Sequence, residues 1–256
     1  MRRIFGELLL MSHMTRHERD GIAWYSYDDL DKLGWLANWV TTRNGGQAKH
    51  GFDLARNSGE AGVMENRHKA ADLFAGGHPI FLPRQVHGTI VCSATGGGRE
   101  ADAVLITGPN QPAGVLTADC LPIILADTRN RAAAVIHAGR QGVFDNIIAA
   151  AIARLTGAPK DLVAVIGPAI RSCCYEVKDG VFAGGYDSFK RFLAKGRLDI
   201  AAAAKEQLLA AGVPEAAIFD SGICTSCRTD EFYSHRAEKG DTGRFMTGIM
   251  IRPSGE

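Results

Sequence analysis

Residues 132–155 read AAAVIHAGRQGVFDNIIAAAIARL, which is an apolar run, a glycine-rich turn and a second apolar segment of different period. The first part, Ala132–His137, is continuously apolar up to its histidine, as is typical of a strand buried on both faces. The second part, Val143–Leu155, places its large apolar residues on one helical stripe, and Gly157 follows as a helix-ending residue. A buried strand joined to a helix by a short turn predicts an α/β protein.

The same alternation of strand-like and helix-like segments continues over most of the chain. Two further helices are predicted, Val63–Phe74 and Asp199–Ala211. The other predicted strands are Ala37–Thr42, Ala101–Thr107, Gly114–Thr117, Pro122–Ala126, Leu162–Ile166 and Phe245–Ile251. No internal repeat or Pro-rich linker divides the chain, so we expect one domain over residues 31–256. Residues 1–30 are expected to form an N-terminal extension that is poorly ordered in part.

Composition narrows the class of protein. The 256 residues include 46% hydrophobic and 22% charged side chains, which is ordinary for a globular protein and argues against disorder. The formal charge is +1, from 29 basic and 28 acidic residues, so a nucleic-acid partner is not expected. No apolar run approaches the roughly 18 residues that a membrane helix needs, and no secretory signal is convincing.

Six cysteines occur in a chain long enough to build its own core, which favours reduced thiols and a cytoplasmic protein over a disulfide framework. Cys224-x-x-Cys227 has the spacing of half a zinc site, and only the adjacent pair Cys173-Cys174 could complete it. Two adjacent cysteines cannot easily direct both of their sulfurs to one metal ion. Structural burial of these cysteines is therefore the favoured interpretation, ahead of metal binding or redox chemistry.

Three segments each carry a reactive side chain into a turn punctuated by glycine or proline: residues 84–88 with His87, 117–122 with Cys120, and 135–142 with His137. Strand ends are where α/β proteins place their ligands. One cysteine and two histidines make a three-ligand set with a free fourth position, as in catalytic zinc sites. The spacing matches no compact metal motif, however. The alternative is three separately placed residues, with Cys120 a small buried hydrophobe.

Several motifs occur along the chain in a characteristic order. They are Arg43-Asn44-Gly45-Gly46, Gln85-Val86-His87-Gly88, Thr117-Ala118-Asp119-Cys120-Leu121-Pro122, His137-Ala138-Gly139, Ile166-Gly167-Pro168-Ala169-Ile170, and Phe232-Tyr233-Ser234-His235-Arg236 with Thr242-Gly243-Arg244. Over roughly residues 35–252 this order resembles the YfiH family, also called the polyphenol oxidase or laccase-domain family, which includes purine nucleoside phosphorylases.

The resemblance implies a single α/β domain of layered mixed β-sheets flanked by helices. It also implies Zn²⁺ bound by the residues that match the family's ligands, His87, Cys120 and His137. The implied substrates are a purine nucleoside and phosphate, with adenosine deamination and methylthioadenosine cleavage as related activities. The oligomeric state stays open.

Three further residues are candidates for the chemistry. Arg43, in a glycine-rich turn, and Arg140 could hold phosphate oxygens, since guanidinium groups match phosphate geometry, although each could also be a surface arginine. Asp119 could be a general acid or base, or could orient a metal ligand, and the second role is slightly favoured. The family usually has Trp-Arg where this chain has Arg140-Gln141. We expect Arg140, opening the predicted helix, to take over part of that arginine's role.

Other functions stay open at this stage. A multicopper laccase would need more histidines, in His-x-His pairs, than the eight unpaired ones here, so it is effectively excluded. A metal-free hydrolase could use Cys120 and His137 as nucleophile and base. A non-catalytic nucleoside-binding protein is the third alternative, because the departure from the family falls beside the site.

Overall fold

The computed structural model describes residues 14–55, 61–96 and 100–253, and its apolar runs form the strands of two stacked sheets. The strands are β1 Met14–Arg19, β2 Ile22–Tyr27, β3 Leu36–Thr41, β4 Val91–Ser93, β5 Ala103–Ile106, β6 Ala113–Thr117, β7 Leu121–Asp127, β8 Ala132–Ala138, β9 Leu162–Ile166, β10 Leu193–Ala194, β11 Arg197–Leu198, β12 Ile218–Asp220 and β13 Phe245–Ile251. The helices are α1 Asp28–Asp31, α2 Ala61–Ala75, α3 Arg140–Phe144, α4 Ile147–Ile152 and α5 Ile200–Ala210.

The two large sheets differ in strand direction. One sheet has the order β1-β2-β3-β13-β6 and is antiparallel throughout. The other has the order β12-β9-β7-β8-β5-β4 and is mixed, because its edge pairs β12–β9 and β4–β5 are parallel. β10 and β11 form a separate two-stranded ribbon.

The layers follow from the alternation of side chains along each strand. In β7 every residue is buried, with Ile123 and Leu125 packing toward the helices while Ile124 and Ala126 pack toward the antiparallel sheet. Helices α3–α5 therefore cover the outer face of the mixed sheet, and α2 packs against the outer face of the antiparallel sheet through residues such as Ala70. This arrangement confirms the expected single domain of layered mixed sheets flanked by helices.

One predicted helix is interrupted. The sequence predicts a continuous helix over Val143–Leu155, but the structure has α3 and α4 separated at Asn146. Asn146 is left-handed (φ 65°), and its side chain accepts a hydrogen bond from the backbone N–H of Ala149 as the N-cap of α4. Helix α5 agrees with prediction, with Asp199 as its N-cap. Among the helices of the described residues, none is long and apolar enough to cross a membrane.

Part of the expected N-terminal extension belongs to the antiparallel sheet. Strands β1 and β2 form a hairpin that pairs with β3, and Tyr25 and Tyr27 of β2 are almost fully buried. The hairpin escapes prediction because β1 is an edge strand whose side chains are mostly polar and exposed. Residues 1–13 lie outside the described residues, so the remaining extent of the extension stays a prediction.

Candidate functional site

The three predicted metal ligands lie together. Strands β7 and β8 pair in antiparallel register with Leu121 opposite Ala138, which sets Cys120, just before β7, beside His137 near the end of β8. His87 comes from the loop before β4. Their ligand atoms all lie within 4.8 Å of one another, with Cys120 Sγ 3.9 Å from His87 Nε2.

The cluster opens outward from the core. His137 is buried, Cys120 is half-buried and His87 is exposed. One thiolate and two imidazoles are a donor set that suits zinc and leaves room for a further ligand. The residues present therefore fit a bound metal ion, which a set of three separately placed residues would not.

Asp102 organises the two histidines. The residue is fully buried next to β5, and one carboxylate oxygen lies 2.8 Å from His137 Nδ1. The same carboxylate accepts hydrogen bonds from the backbone N–H groups of His87 (2.9 Å) and Gly88 (2.8 Å). An ionised carboxylate only accepts hydrogen bonds, so His137 Nδ1 carries a proton and Nε2 is left free for the cluster.

The protonation states match this assignment. Burial acts to raise the pKa of Asp102, but hydrogen bonds from His137 and from the backbone hold it below its usual value. Burial likewise opposes ionisation of Cys120, yet the positive charge of His137 and hydrogen bonds from both imidazoles lower its pKa to about 6. Burial acts to lower the pKa of His137, while the Cys120 thiolate and Asp102 raise it to about 9. At neutral pH these shifts favour a Cys120 thiolate beside a His137 imidazolium in the metal-free protein, so the Nε2 proton would leave when a metal binds.

Two residues of the site have left-handed backbone conformations that non-glycine residues rarely adopt. They are His87 (φ 59°) and Asp119 (φ 93°). Such conformations cost of order 1–3 kcal/mol and persist where the surroundings hold them. Here the N–H of His87 is tied to Asp102, and the carbonyl of Asp119 accepts a hydrogen bond from Ile170 (2.9 Å).

Asp119 lies next to Cys120 but does not orient a ligand, contrary to the favoured interpretation of the sequence. One carboxylate oxygen accepts a hydrogen bond from the Thr225 hydroxyl and the other from the backbone N–H of Arg236, each at 2.7 Å. Both oxygens are therefore engaged, and Asp119 joins the turn before β7 to two segments near the C-terminus. Asp102, not Asp119, contacts a side chain of the cluster, His137.

Arg43 is placed differently from expectation. Its guanidinium donates to Glu238 (3.0 Å) and to the carbonyl of Thr229 (2.9 Å), and it lies over the ring of Tyr233. Arg43 is not among the described residues that line the cavity beside the cluster. A guanidinium already paired with a carboxylate is a poor phosphate ligand, so the geometry assigns Arg43 to positioning the C-terminal segment.

Arg140 does face the cavity. Its Nε is buried and has no hydrogen-bond partner among the described residues. Burial raises the pKa of Tyr175 and the charge of Arg140 opposes the rise, which places the guanidinium near that hydroxyl. The neighbouring Gln141 donates to Asp145 (2.8 Å) and Tyr186 (2.7 Å) instead. Helix α3 begins at Arg140 and has only five residues, so its N-terminus adds little to anion binding here.

A cavity of about 880 Å³ surrounds the cluster. Its lining includes five cationic side chains, which are Lys49, Arg84, Arg140, Arg236 and Arg244. Lys49 pairs with Asp241 and Arg84 with Glu100. Within the described ranges, Arg140, Arg236 and Arg244 have no ion pair with a carboxylate. The guanidinium groups of Arg236 and Arg244 donate to backbone carbonyls instead. The carboxylates of Asp53 and Asp119 also line the cavity, so it combines the cluster with an excess of cationic over anionic side chains.

Sequence reasoning missed Asp102 and gave no role to Arg236 or Arg244. A signal for Asp102 was present, since it is an ionisable residue inside the apolar run Ala101–Thr107, and buried charges in proteins are paired. Both arginines stand within the C-terminal motifs, but nothing in their spacing indicates that they share a cavity with His87.

Fold and site together define an α/β protein that carries a three-ligand, metal-type cluster in an open cavity. A family model described as multi-copper polyphenol oxidoreductase laccase matches residues 37–252. The chain therefore belongs to this family, which is the YfiH family of the sequence resemblance.

Relatives of known name and structure agree with this assignment. The chain is 33% identical over 250 residues to purine nucleoside phosphorylase YlmD of Geobacillus stearothermophilus, an alignment that covers 83% of this chain and 89% of that protein. It is 36% identical over 152 residues to adenosine deaminase RL5 of an unknown prokaryotic organism, covering 53% of this chain and 56% of that one. The crystal structure of Bacillus licheniformis YfiH superposes with a TM-score of 0.81 at 28% identity, covering 93% of this chain and 99% of that one.

Proposed function

We propose that this protein is a zinc-dependent purine nucleoside phosphorylase that cleaves adenosine-type nucleosides with inorganic phosphate. One observation carries the proposal: the His87, Cys120 and His137 cluster opens into the same cavity as cationic side chains without carboxylate partners. The relative named purine nucleoside phosphorylase YlmD supports the reaction class. Zinc is preferred because the ligands are one thiolate and two imidazoles.

His87, Cys120 and His137 would hold the metal, which supplies Lewis-acid polarisation of an oxygen or nitrogen ligand. Asp102 keeps a proton on His137 Nδ1, so that Nε2 is the nitrogen that would bind the metal once its own proton is released. The Asp102 carboxylate does not need to exchange protons during turnover. Asp102 fixes the orientation of the His137 ring and the backbone around His87. Its four hydrogen bonds, from three backbone N–H groups and His137 Nδ1, support this role.

Phosphorolysis requires phosphate to be held beside the C1′ carbon and negative charge to be stabilised on the departing purine. Arg140 lines the cavity, and a guanidinium can bind two phosphate oxygens at once. Arg236 and Arg244 add charge at the same cavity. Apolar lining residues such as Ile170 and Tyr175 offer a surface on which a flat purine can pack.

Adenosine deamination is a second candidate activity, supported by the similarity to adenosine deaminase RL5. A metal that activates water would serve this reaction as well. Methylthioadenosine phosphorolysis differs from adenosine phosphorolysis only in the 5′ substituent, so we propose it as a related activity of the same site.

Assays of copper-free, zinc-loaded protein test the proposal. Adenosine with phosphate should yield adenine and a pentose 1-phosphate, and inosine would report deamination. Release of neither product, with nucleoside binding retained, would establish the binding protein instead. Turnover that survives a metal chelator but is lost on thiol alkylation would establish the metal-free Cys120–His137 hydrolase.

We also propose a cytoplasmic location and no nucleic-acid partner. None of the six cysteines forms a disulfide, as is usual in a reducing compartment. The formal charge of +1 provides no extended field for a polyanion. The description of the family as multi-copper does not extend to this chain, because eight histidines without a His-x-His pair cannot build a laccase centre.

A further inference from the structure

Four cysteines outside the cavity cluster converge at the ends of two neighbouring strands. Strands β9 and β12 are parallel and adjacent, so the segments that follow them leave the sheet at the same edge. Cys173 and Cys174 follow β9, and Cys224 and Cys227 follow β12. The burial expected from the sequence holds only for Cys224. Cys174 is half-buried, and Cys173 and Cys227 are exposed.

The spacing of the sulfurs is that of a metal site. All four Sγ atoms lie within 4.8 Å of one another. Cys227 Sγ is 3.4 Å from Cys174 Sγ and 3.7 Å from Cys173 Sγ. Four sulfurs at about 2.3 Å from one zinc ion form a tetrahedron with edges of about 3.8 Å. A disulfide requires about 2.05 Å. The adjacency of Cys173 and Cys174 is therefore no obstacle, since both sulfurs reach Cys227.

Backbone hydrogen bonds hold the two segments in place. Ala169 and Cys224 form a parallel bridge, with the N–H of Thr225 donating to the carbonyl of Ala169 at 3.0 Å. The carbonyl of Cys224 accepts from the N–H of Cys227 at 3.1 Å. Arg171 ties the first segment to the second through Asp220 (2.6 Å). The thiols are thus brought together by rigid backbone and need little rearrangement to share one ion.

We propose that Cys173, Cys174, Cys224 and Cys227 bind a second zinc ion, distinct from the cluster in the cavity. Four protein ligands leave no open position, so the role of this ion is structural. Each bound thiol gives up its proton to solvent as the thiolate ligates zinc. The ion joins the segment that carries Tyr175 to the segment that carries Thr225, and Thr225 holds Asp119 beside Cys120. Zinc at this site would therefore stabilise the side of the cavity that Tyr175 and Asp119 line.

Metal counting and X-ray absorption on intact protein test the site. Wild-type protein expressed with zinc should contain about two zinc ions per chain with, on average, about 2.5 sulfur ligands per zinc, because one ion has one cysteine and the other has four. Cys120→Ala should retain about one zinc, with a shell of sulfur alone at about 2.3 Å. The double variant Cys224→Ser/Cys227→Ser should lose that ion. Cys92→Ser is the matched control, since Cys92 lies on β4 and belongs to neither ligand group.

The wild-type measurement stands even if the double variant fails to fold. About one sulfur per zinc in wild-type protein, or complete loss of zinc in Cys120→Ala, would overturn the proposal. A Cys174–Cys227 disulfide in protein purified without oxygen, detected by mass spectrometry without reduction, would overturn it as well. These outcomes are separate from phosphorylase activity, which tests the cavity cluster.

Discussion

At the scale of single residues, Gly139 lies two residues after His137 and against the cluster of His87, Cys120 and His137. A Cβ atom there would come 2.9 Å from the His87 ring and 3.3 Å from Cys120 Sγ, closer than carbon atoms normally pack. Its φ of −67° suits alanine, so the backbone itself allows the substitution. Gly139→Ala should therefore displace a ligand and weaken zinc binding by at least about 10-fold, as loss of an orienting partner does.

Competition with a chromophoric chelator measures this affinity. Gly180→Ala is the matched control, because a Cβ at Gly180 meets no atom within 4 Å and its backbone is not left-handed. Unchanged zinc affinity in Gly139→Ala would mean that the ligand rings can move without cost, and the cluster would then be less rigid than its hydrogen bonds imply.

Arg140 is the residue through which phosphate binding can be tested. Arg140→Ala should lower kcat/KM for phosphorolysis by about 10- to 150-fold, since a hydrogen bond to a charged group contributes about 1.5–3 kcal/mol. Arg140→Lys should recover only part, because lysine lacks the fork of donors. Gln141→Ala is the control, as Gln141 contacts Asp145 and Tyr186 instead. Turnover within twofold of wild type in Arg140→Ala would show that Arg140 does not bind the reacting phosphate, and Arg236 or Arg244 would then be the better candidate.

The sequence and its family resemblance singled out the three residues that converge in the cavity, but not the residues that support them. His87, Cys120 and His137 each lie where an apolar run meets a turn, and this pattern is visible in the sequence alone. Asp102 contacts backbone N–H groups and one imidazole that belong to separate segments of the chain. No spacing of residues along the sequence indicates these contacts. Arg43 shows the reverse case. It stands in a suggestive motif, yet Glu238, far along the chain, neutralises it.

At the scale of elements, β13 illustrates how closely the antiparallel sheet packs. Gly248 pairs with Trp39 of β3, whose ring stacks on Phe74 of α2 at 5.3 Å. A Cβ at Gly248 would overlap the Trp39 ring, whereas one at Gly114 would meet mainly the flexible side chain of Met246. Gly248→Ala should therefore lower the free energy of unfolding by about 1–3 kcal/mol, and Gly114→Ala by less. Urea denaturation of both variants compares them directly. Equal losses would show that Trp39 shifts as readily as Met246.

Strands β3, β5–β9 and β13 were predictable because burial on both faces leaves continuous apolar runs, and the predicted and observed bounds of Leu162–Ile166 coincide. Strands β2, β4 and β10–β12 were not predicted. The break between α3 and α4 was not predicted either. Phe144 and Ile147 continue one apolar stripe, and only the left-handed conformation of Asn146 separates the two helices. β1 was missed for the opposite reason, since an edge strand needs no apolar period.

At the scale of the whole molecule, the stability of the metal-free protein should depend on pH through Cys120 and His137. The pKa of Cys120, about 6, lies below the usual thiol value, so its stabilisation is lost as pH falls toward 6. The pKa of His137 is raised to about 9, so its stabilisation is lost as pH rises through 9. The metal-free protein should therefore be most stable between about pH 6 and about pH 9.

Denaturant midpoints of metal-free wild type and Cys120→Ala, measured from about pH 5 to about pH 10, isolate this pair from the other titrating groups. The difference between the two curves should be largest in the middle of the range and shrink on both sides. A difference that does not vary with pH would mean that the thiol and the imidazole do not form a charged pair in the folded protein.

The position of β13 has a consequence for biosynthesis. Residues 245–251 form a strand that lies between β3 and β6, both of which are translated much earlier. Until this segment leaves the ribosome, the nascent chain presents two unpaired strand edges, at residues 36–41 and 113–117, to other nascent chains. The antiparallel sheet can therefore close only after residues 245–251 have been synthesised, and a chain that stops before β13 leaves both edges open to aggregation.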